Sequence, residues 1–152
     1  MKAISVIAST YLILAAPPVK ANVDRGGWTE DYIYRANHAK SRVVIPYSCM
    51  SACVILLSSR HGACLQHGGA VYVHSPYIGV LADYKNPYDA MSESGQAETR
   101  KYYAKLPKAV FDRLSPLLNE PYLSKVENEE LISLGMKACT HVQNQRSTEA
   151  PF

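Results

Sequence analysis

The apolar positions in the first half of the chain predict a helix, a strand and a second helix. Apolar residues at helical spacing predict an amphipathic helix over 30–40, with Thr29 as its N-cap. A β-branched run predicts a buried strand over 42–46. Residues 51–59 are small or apolar except at their ends, which predicts a helix that is buried on most sides.

The second half of the chain continues this alternation. Strands are predicted over 63–66 and 70–74, helices over 90–105, 108–114 and 127–134, and a last strand over 136–142. The Ser115-Pro116 step is expected to end the second of these helices, and Gly135 occupies a position that ends helices. Alternating strands and helices favour an α/β fold, in one domain over 22–142 with a polar tail over 143–152.

The first 21 residues have the pattern of a secretory signal peptide. Lys2 precedes a run of 14 uncharged residues, and Val19-Lys20-Ala21 offers small residues at a cleavage site. Cleavage after Ala21 would give a periplasmic or secreted protein. The alternative is a cytoplasmic protein in which this segment is a structural strand or helix. The run is shorter than the roughly 20 residues that span a bilayer, so no stable membrane anchor is expected.

Composition and charge narrow the possible partners. The chain has 152 residues, of which 47% are hydrophobic and 19% charged, as in ordinary globular domains. The formal charge is +3, but Lys2 and Lys20 lie in the predicted leader, which leaves 14 basic against 13 acidic residues. Neither nucleic acid nor an anionic membrane is therefore expected as a partner, and no cofactor is expected.

The chain contains four cysteines, all after the predicted cleavage site. An even number in an exported chain fits two disulfides, with three possible pairings. Cys49 and Cys53 are four residues apart, a spacing within disulfide reach on a helix. A zinc site is a weaker alternative, since no second motif completes it. Its ligands would be His61, Cys64 and His67, with Cys53.

Three features carry candidate chemistry. Ser51 lies between a predicted strand and helix, with small cysteines two residues before and after it. Such a turn can present a nucleophile, and His74 at the end of a later strand could take its proton. The Gly26-Gly27 pair could supply backbone N–H donors to an oxyanion. The simpler alternatives are a helix N-cap at Ser51, a strand-end histidine and a turn.

The order of these motifs resembles that of the ClpP/crotonase superfamily, especially exported bacterial ClpP-like proteins. The matching segments are Gly26-Gly27-Trp28, Cys49-Met50-Ser51-Ala52-Cys53, Arg60, and Val71-Tyr72-Val73-His74-Ser75-Pro76. The resemblance implies a fold of repeated strand-helix units, trimmed at the N-terminus. It also implies self-association, and neighbouring strands that would pair Cys64 with Cys139.

The resemblance further implies a serine peptidase or related acyl hydrolase. Ser51 would be the nucleophile, His74 the general base, and the N–H groups of Gly27 and Ala52 the oxyanion hole. Leu123 occupies the position of the family's orienting aspartate. The expectation is therefore a Ser-His dyad or, alternatively, a catalytically impaired binding or assembly module. The substrate, if any, would be an unidentified peptide or acyl compound.

Overall fold

The protein has a mixed α/β fold with two small sheets. The computed structural model describes residues 22–79 and 83–140, so the predicted leader and the tail over 143–152 lie outside the described residues. The first sheet has the order β1-β3-β5-β6, and the second has the order β2-β4-β7. The strands are β1 (Val23–Asp24), β2 (Val43–Val44), β3 (Ser48–Met50), β4 (Ala63–Leu65), β5 (Ala70–Val73), β6 (Ser124–Glu127) and β7 (Lys137–Ala138).

Both sheets are mainly parallel. In the first sheet β1, β3 and β5 are parallel, and β6 joins β5 in the antiparallel direction. The second sheet is parallel throughout. Parallel neighbours require crossover connections, and the helices between the strands provide them. The predicted α/β class is therefore confirmed.

The helices include a central one that both sheets contact. This central helix is the 3-10 helix Ser51–Ser58, and every residue from Ala52 to Ser58 is buried. The α-helices are α1 (Thr29–His38), α2 (Glu93–Tyr103), α3 (Lys108–Leu114) and α4 (Asn128–Ser133), and shorter 3-10 turns cover Pro87–Ala90 and Ser115–Asn119. The central helix packs against α1, α2, β3, β4 and β5, so its apolar composition reflects burial on nearly all sides.

Several predicted boundaries differ from the structure. The strand that leads into Ser51 is β3, whereas the apolar run of the predicted strand over 42–46 forms β2 in the other sheet. Strand β6 was not predicted because Val126 is its one buried residue. Thr29 is not an N-cap: it is the first residue of α1, and Trp28 occupies the cap position. The chain remains helical as a 3-10 turn after Leu114.

Both expected cysteine pairings are present. Cys49 bonds to Cys53, and Cys64 of β4 bonds to Cys139, the residue after the neighbouring strand β7. The first disulfide joins β3 to the central helix, and the second ties the C-terminal strand to the middle of its sheet. Two disulfides are typical of an oxidising, extracytoplasmic environment. They also remove Cys53 and Cys64 as thiolate ligands, which eliminates the zinc alternative.

Candidate functional site

Ser51 lies in a strained turn between β3 and the central helix. Its backbone φ is 54°, which makes it the one non-glycine residue of the described chain with a positive φ. This left-handed conformation is costly for a residue with a side chain, and it recurs where a strand-helix turn presents a nucleophile. The Cys49–Cys53 disulfide closes over this turn with Ser51 at its centre. The disulfide therefore holds in place the turn that carries the half-buried hydroxyl of Ser51.

The helix-cap alternative for Ser51 is not supported. Met50 occupies the N-cap position of the central helix, and no side chain caps that end. Ser51 is the first helical residue, and within the described residues its hydroxyl has no recorded hydrogen-bond partner. The hydroxyl is thus free to react or to bind a ligand.

The Gly26-Gly27 turn packs directly against Ser51. A Cβ at Gly26 would lie 2.5 Å from the carbonyl oxygen of Met50 and 2.9 Å from the Cβ of Ser51, and the φ of Gly26 is +78°. Only glycine fits this contact. The carboxylate of Asp24 fixes the turn, because its Oδ1 accepts hydrogen bonds from the Gly26 N–H at 2.9 Å and from the Tyr32 hydroxyl. Burial, together with Asp24, raises the pKa of Tyr32 to about 12.

Two backbone N–H groups at this contact remain available. Ala52 is the second residue of the central helix, so its N–H precedes the first intrahelical hydrogen bond. The Gly27 N–H has no recorded acceptor among the described residues. Ala52 N would lie 3.2 Å from a Cβ on Gly26, so the helix start and the glycine turn are in contact. These are the two donors that the family resemblance implies for an oxyanion hole.

His74 follows β5 and is held in one orientation. Its Nδ1 lies 2.5 Å from the carbonyl oxygen of Ser75, and its ring stacks on Tyr77 at a centroid distance of 4.6 Å. A carbonyl oxygen can only accept, so Nδ1 carries the proton and Nε2 keeps its lone pair. Burial lowers the pKa of His74 below its usual value near 6.5, although the hydrogen bond to Ser75 opposes this effect. The imidazole is therefore a neutral base at neutral pH.

The carbonyl that orients His74 is itself fixed. Ser75 is fully buried, and its N–H donates to the carbonyl oxygen of Glu120 at 2.7 Å. Its hydroxyl accepts a hydrogen bond from Gln96 Nε2 at 2.9 Å and lies 3.2 Å from the carbonyl oxygen of Pro76. The Ser75 carbonyl thus fixes the orientation and tautomer of the imidazole. A carboxylate has this effect in a catalytic triad, but it also carries a negative charge, which the carbonyl lacks.

Ser51 and His74 line the same small cavity. Its volume is about 20 Å³, room for one water molecule. No direct hydrogen bond joins the two side chains in the described structure. Thr99 also lines the cavity, and its buried hydroxyl has no hydrogen-bond partner. An unpaired buried hydroxyl is costly unless water or a ligand satisfies it. We therefore expect water or a polar ligand group in the cavity.

The position of the expected orienting acid carries no carboxylate. β6 pairs with β5 so that Ser124 lies opposite Val73, and Leu123, the residue before Ser124, is half exposed. Neither nearby glutamate replaces it. Glu120 accepts a hydrogen bond from the Tyr88 hydroxyl at 3.4 Å, and Glu127 pairs with Lys125 at 2.7 Å.

Sequence reasoning missed three residues of this arrangement. Asp24 and Thr99 lie in stretches that read as a polar segment and a polar helix, and only the packing brings them to the site. Ser75 acts through its backbone carbonyl, so no side-chain pattern could identify its role. Among the described residues, no cluster of three metal-ligating side chains occurs. No helix in the described part of the chain is long and apolar enough to cross a membrane.

Comparisons with known proteins identify no relative of this chain. No family model, no curated protein and no solved structure matches it.

Proposed function

We propose that this protein is a serine hydrolase, a peptidase or a related acyl hydrolase, that uses Ser51 and His74 as a dyad. One observation carries the proposal: a clamped serine with a left-handed backbone shares a cavity with a histidine whose Nε2 is available as a base. Each group has the protonation state that the reaction requires at neutral pH.

The proposed reaction has two steps. In the first, Ser51 Oγ attacks the acyl carbon while its proton passes to His74 Nε2, directly or through the one water that the cavity can hold. The Gly27 and Ala52 N–H groups stabilise the oxyanion, and His74 then protonates the leaving group. In the second, His74 deprotonates a water molecule that attacks the acyl-enzyme. This releases the carboxylic acid and restores Ser51.

Slow turnover is expected of this site. The carbonyl of Ser75 fixes the tautomer of His74, but it does not stabilise the imidazolium as a carboxylate does. In a complete triad, removal of the orienting acid costs on the order of 10⁴ in rate. We therefore expect acylation to be measurable and the overall rate to be low.

The finer family assignment belongs to the same proposal. We infer a ClpP/crotonase-like fold, export by a signal peptide cleaved after Ala21, and self-association. Two mainly parallel sheets around a buried helix that begins with the serine support the first inference, and the two disulfides support the second. Exposed apolar residues near the site would form the contact between subunits. They are Ile78, Tyr88, Tyr122 and Leu123.

A second candidate function is a non-catalytic binding module with this fold. The absence of a carboxylate at Leu123 and the small cavity favour it. In that case the Ser51 hydroxyl and the Thr99 hydroxyl would bind a ligand without reaction.

Hydrolysis of p-nitrophenyl acetate separates the two candidates. The hydrolase proposal predicts a burst of p-nitrophenol followed by slow turnover. The burst should disappear in Ser51→Ala. It should persist in the control Ser133→Ala, which removes an exposed serine that is distant from Ser51 in the sequence. If the wild type shows no burst, or if Ser51→Ala keeps it, the binding module is the better account.

A further inference from the structure

A second concave site lies at the opposite end of the central helix from Ser51. Its volume is about 510 Å³, within the range of pockets that hold small organic ligands. Leu57 and Ser58, the last residues of the central helix, lie in its wall, and the segment after α2 and strand β7 border it through Lys105 and Lys137. This basic groove shares no residue with the cavity of Ser51 and His74.

Among the described residues that line the basic groove, the strongly basic side chains are Arg42, Arg60, Lys105 and Lys137, and there is no aspartate or glutamate. All four are exposed. The protein outside the predicted leader has almost no net charge, so this concentration of one sign is local. It creates a positive potential in a concave surface, where field lines are focused.

The cations of the basic groove lack carboxylate partners, unlike many others in the protein. Within the described residues, cations elsewhere form ion pairs, as Lys101 does with Glu98, Lys108 with Asp112 and Arg113 with Glu130. None of the four groove cations forms an ion pair with a described carboxylate. Lys105 instead lies over the Tyr102 ring at 4.0 Å. The described acidic residues therefore leave these four charges available to an external anion.

The floor of the basic groove is apolar, and its backbone groups are partly satisfied. Leu57, Leu106 and Met136 are buried beneath the cations. At the end of the central helix, the hydroxyls of Ser58 and Ser59 donate to carbonyl oxygens of the preceding turn. These bonds satisfy two carbonyl groups near the helix C-terminus.

We propose that the basic groove binds a small organic anion with two or more negative charges and an apolar moiety. Arginines and lysines around the rim would bind its phosphate or carboxylate groups, and the apolar floor would contact the rest. The volume favours a small molecule over an acidic protein segment or an anionic membrane. This site is independent of the proposed hydrolase reaction and can be tested without it.

Calorimetric titration with adenosine diphosphate and with benzene-1,2,4-tricarboxylate, each of which has an aromatic ring, tests the proposal. Each probe carries several negative charges, and their comparison distinguishes phosphate from carboxylate ligands. The proposal predicts saturable one-to-one binding of at least one probe, weakened by added salt. The variant Arg60→Gln/Lys137→Gln should weaken this binding at least about tenfold, because it removes two charge-assisted contacts.

The matched control is Lys101→Gln/Lys108→Gln, which removes the same charge from exposed side chains outside the basic groove. It should bind within about twofold of the wild type, and thermal melts should confirm that both variants fold. Three results would overturn the proposal: no saturable binding of either probe, an equal loss in both variants, or binding to phosphatidylglycerol vesicles but to neither probe.

Discussion

The two ends of the central helix differ in size and in charge. At its start, Ser51 and His74 share a cavity of about 20 Å³, and no Asp, Glu, Lys or Arg of the described residues lines it. At its end, four cations surround a groove of about 510 Å³. A small, buried and neutral cavity favours a reaction at a single bond of a substrate, because a low dielectric strengthens hydrogen bonds to the charge that develops there. An open, charged groove favours the binding of a charged ligand. One buried helix thus separates a proposed reaction site from a proposed binding site.

The largest effect is expected from removing the base at the start of the helix. His74→Gln should lower the rate of Ser51 acylation by p-nitrophenyl acetate by 10²–10⁴-fold, the usual contribution of a general base. Binding in the basic groove should not change, because His74 does not line it. Stopped-flow measurement of the burst rate checks this. An unchanged burst would mean that Ser51 reacts without His74.

Removal of one disulfide should mainly lower the stability of the protein, and removal of the other should mainly lower the reactivity of Ser51. The cysteines are 75 residues apart in Cys64–Cys139 and 4 apart in Cys49–Cys53. The chain-entropy model then assigns about 4.5 kcal/mol of stability to the first and about 2 kcal/mol to the second. Denaturant unfolding of Cys64→Ala/Cys139→Ala and Cys49→Ala/Cys53→Ala measures both losses.

Reactivity should follow the opposite order. The short disulfide holds the turn around Ser51, so its loss should slow acylation of the folded protein. Loss of the long disulfide should leave the burst rate of the folded fraction nearly unchanged. If both variants lost reactivity only in proportion to their unfolded fraction, the clamp would have no role in the site.

A smaller effect is expected at the unpaired hydroxyl of Thr99. Thr99→Val keeps the shape of the side chain and removes a buried hydroxyl that has no protein partner. Stability should stay equal or rise by about 1 kcal/mol, since an unsatisfied polar group is lost. The burst rate should fall about tenfold if that hydroxyl holds the water or the substrate. A loss of stability with no change in rate would make Thr99 purely structural.

The smallest effect concerns pH. Because burial lowers the pKa of His74, its neutral form persists below the ordinary histidine range. The burst rate should therefore fall on acidification with a midpoint below 6.5, as Nε2 becomes protonated. Stability should fall with it, since the unfolded state takes up the proton more readily. A midpoint above 6.5 would show that another group controls the reaction.

The sequence predicted the local features of this protein better than its assembly into sheets. The helix from Ser51 and the helix end at Gly135 follow from local patterns, and Gly135 has a positive φ. The short strands were harder to predict because neighbours define them. Ser48–Met50 is only three residues long and Ser124–Glu127 has a single buried residue, and hydrogen bonds to β5 make them strands.

The candidate site was predictable where side-chain identity mattered. Ser51, His74 and the Gly26-Gly27 pair have chemistry that spacing can indicate, and the structure brings Ser51 and His74 to one cavity beside Gly26. The Ser75 carbonyl and the Thr99 hydroxyl were not predictable, because their roles depend on burial and direction. The basic groove was missed for a related reason. Its cations are spread along the sequence from Arg42 to Lys137, and the net charge outside the predicted leader is too small to indicate a basic surface.

Labelling with a fluorophosphonate, followed by intact mass and peptide mass spectrometry, tests the central claim most directly. A phosphonylated serine requires an activated nucleophile and needs no knowledge of the substrate. The account predicts one adduct on the folded wild type, located at Ser51, lost in Ser51→Ala and retained in Ser133→Ala. A folded wild type that forms no adduct, or an adduct that persists in Ser51→Ala, would contradict it.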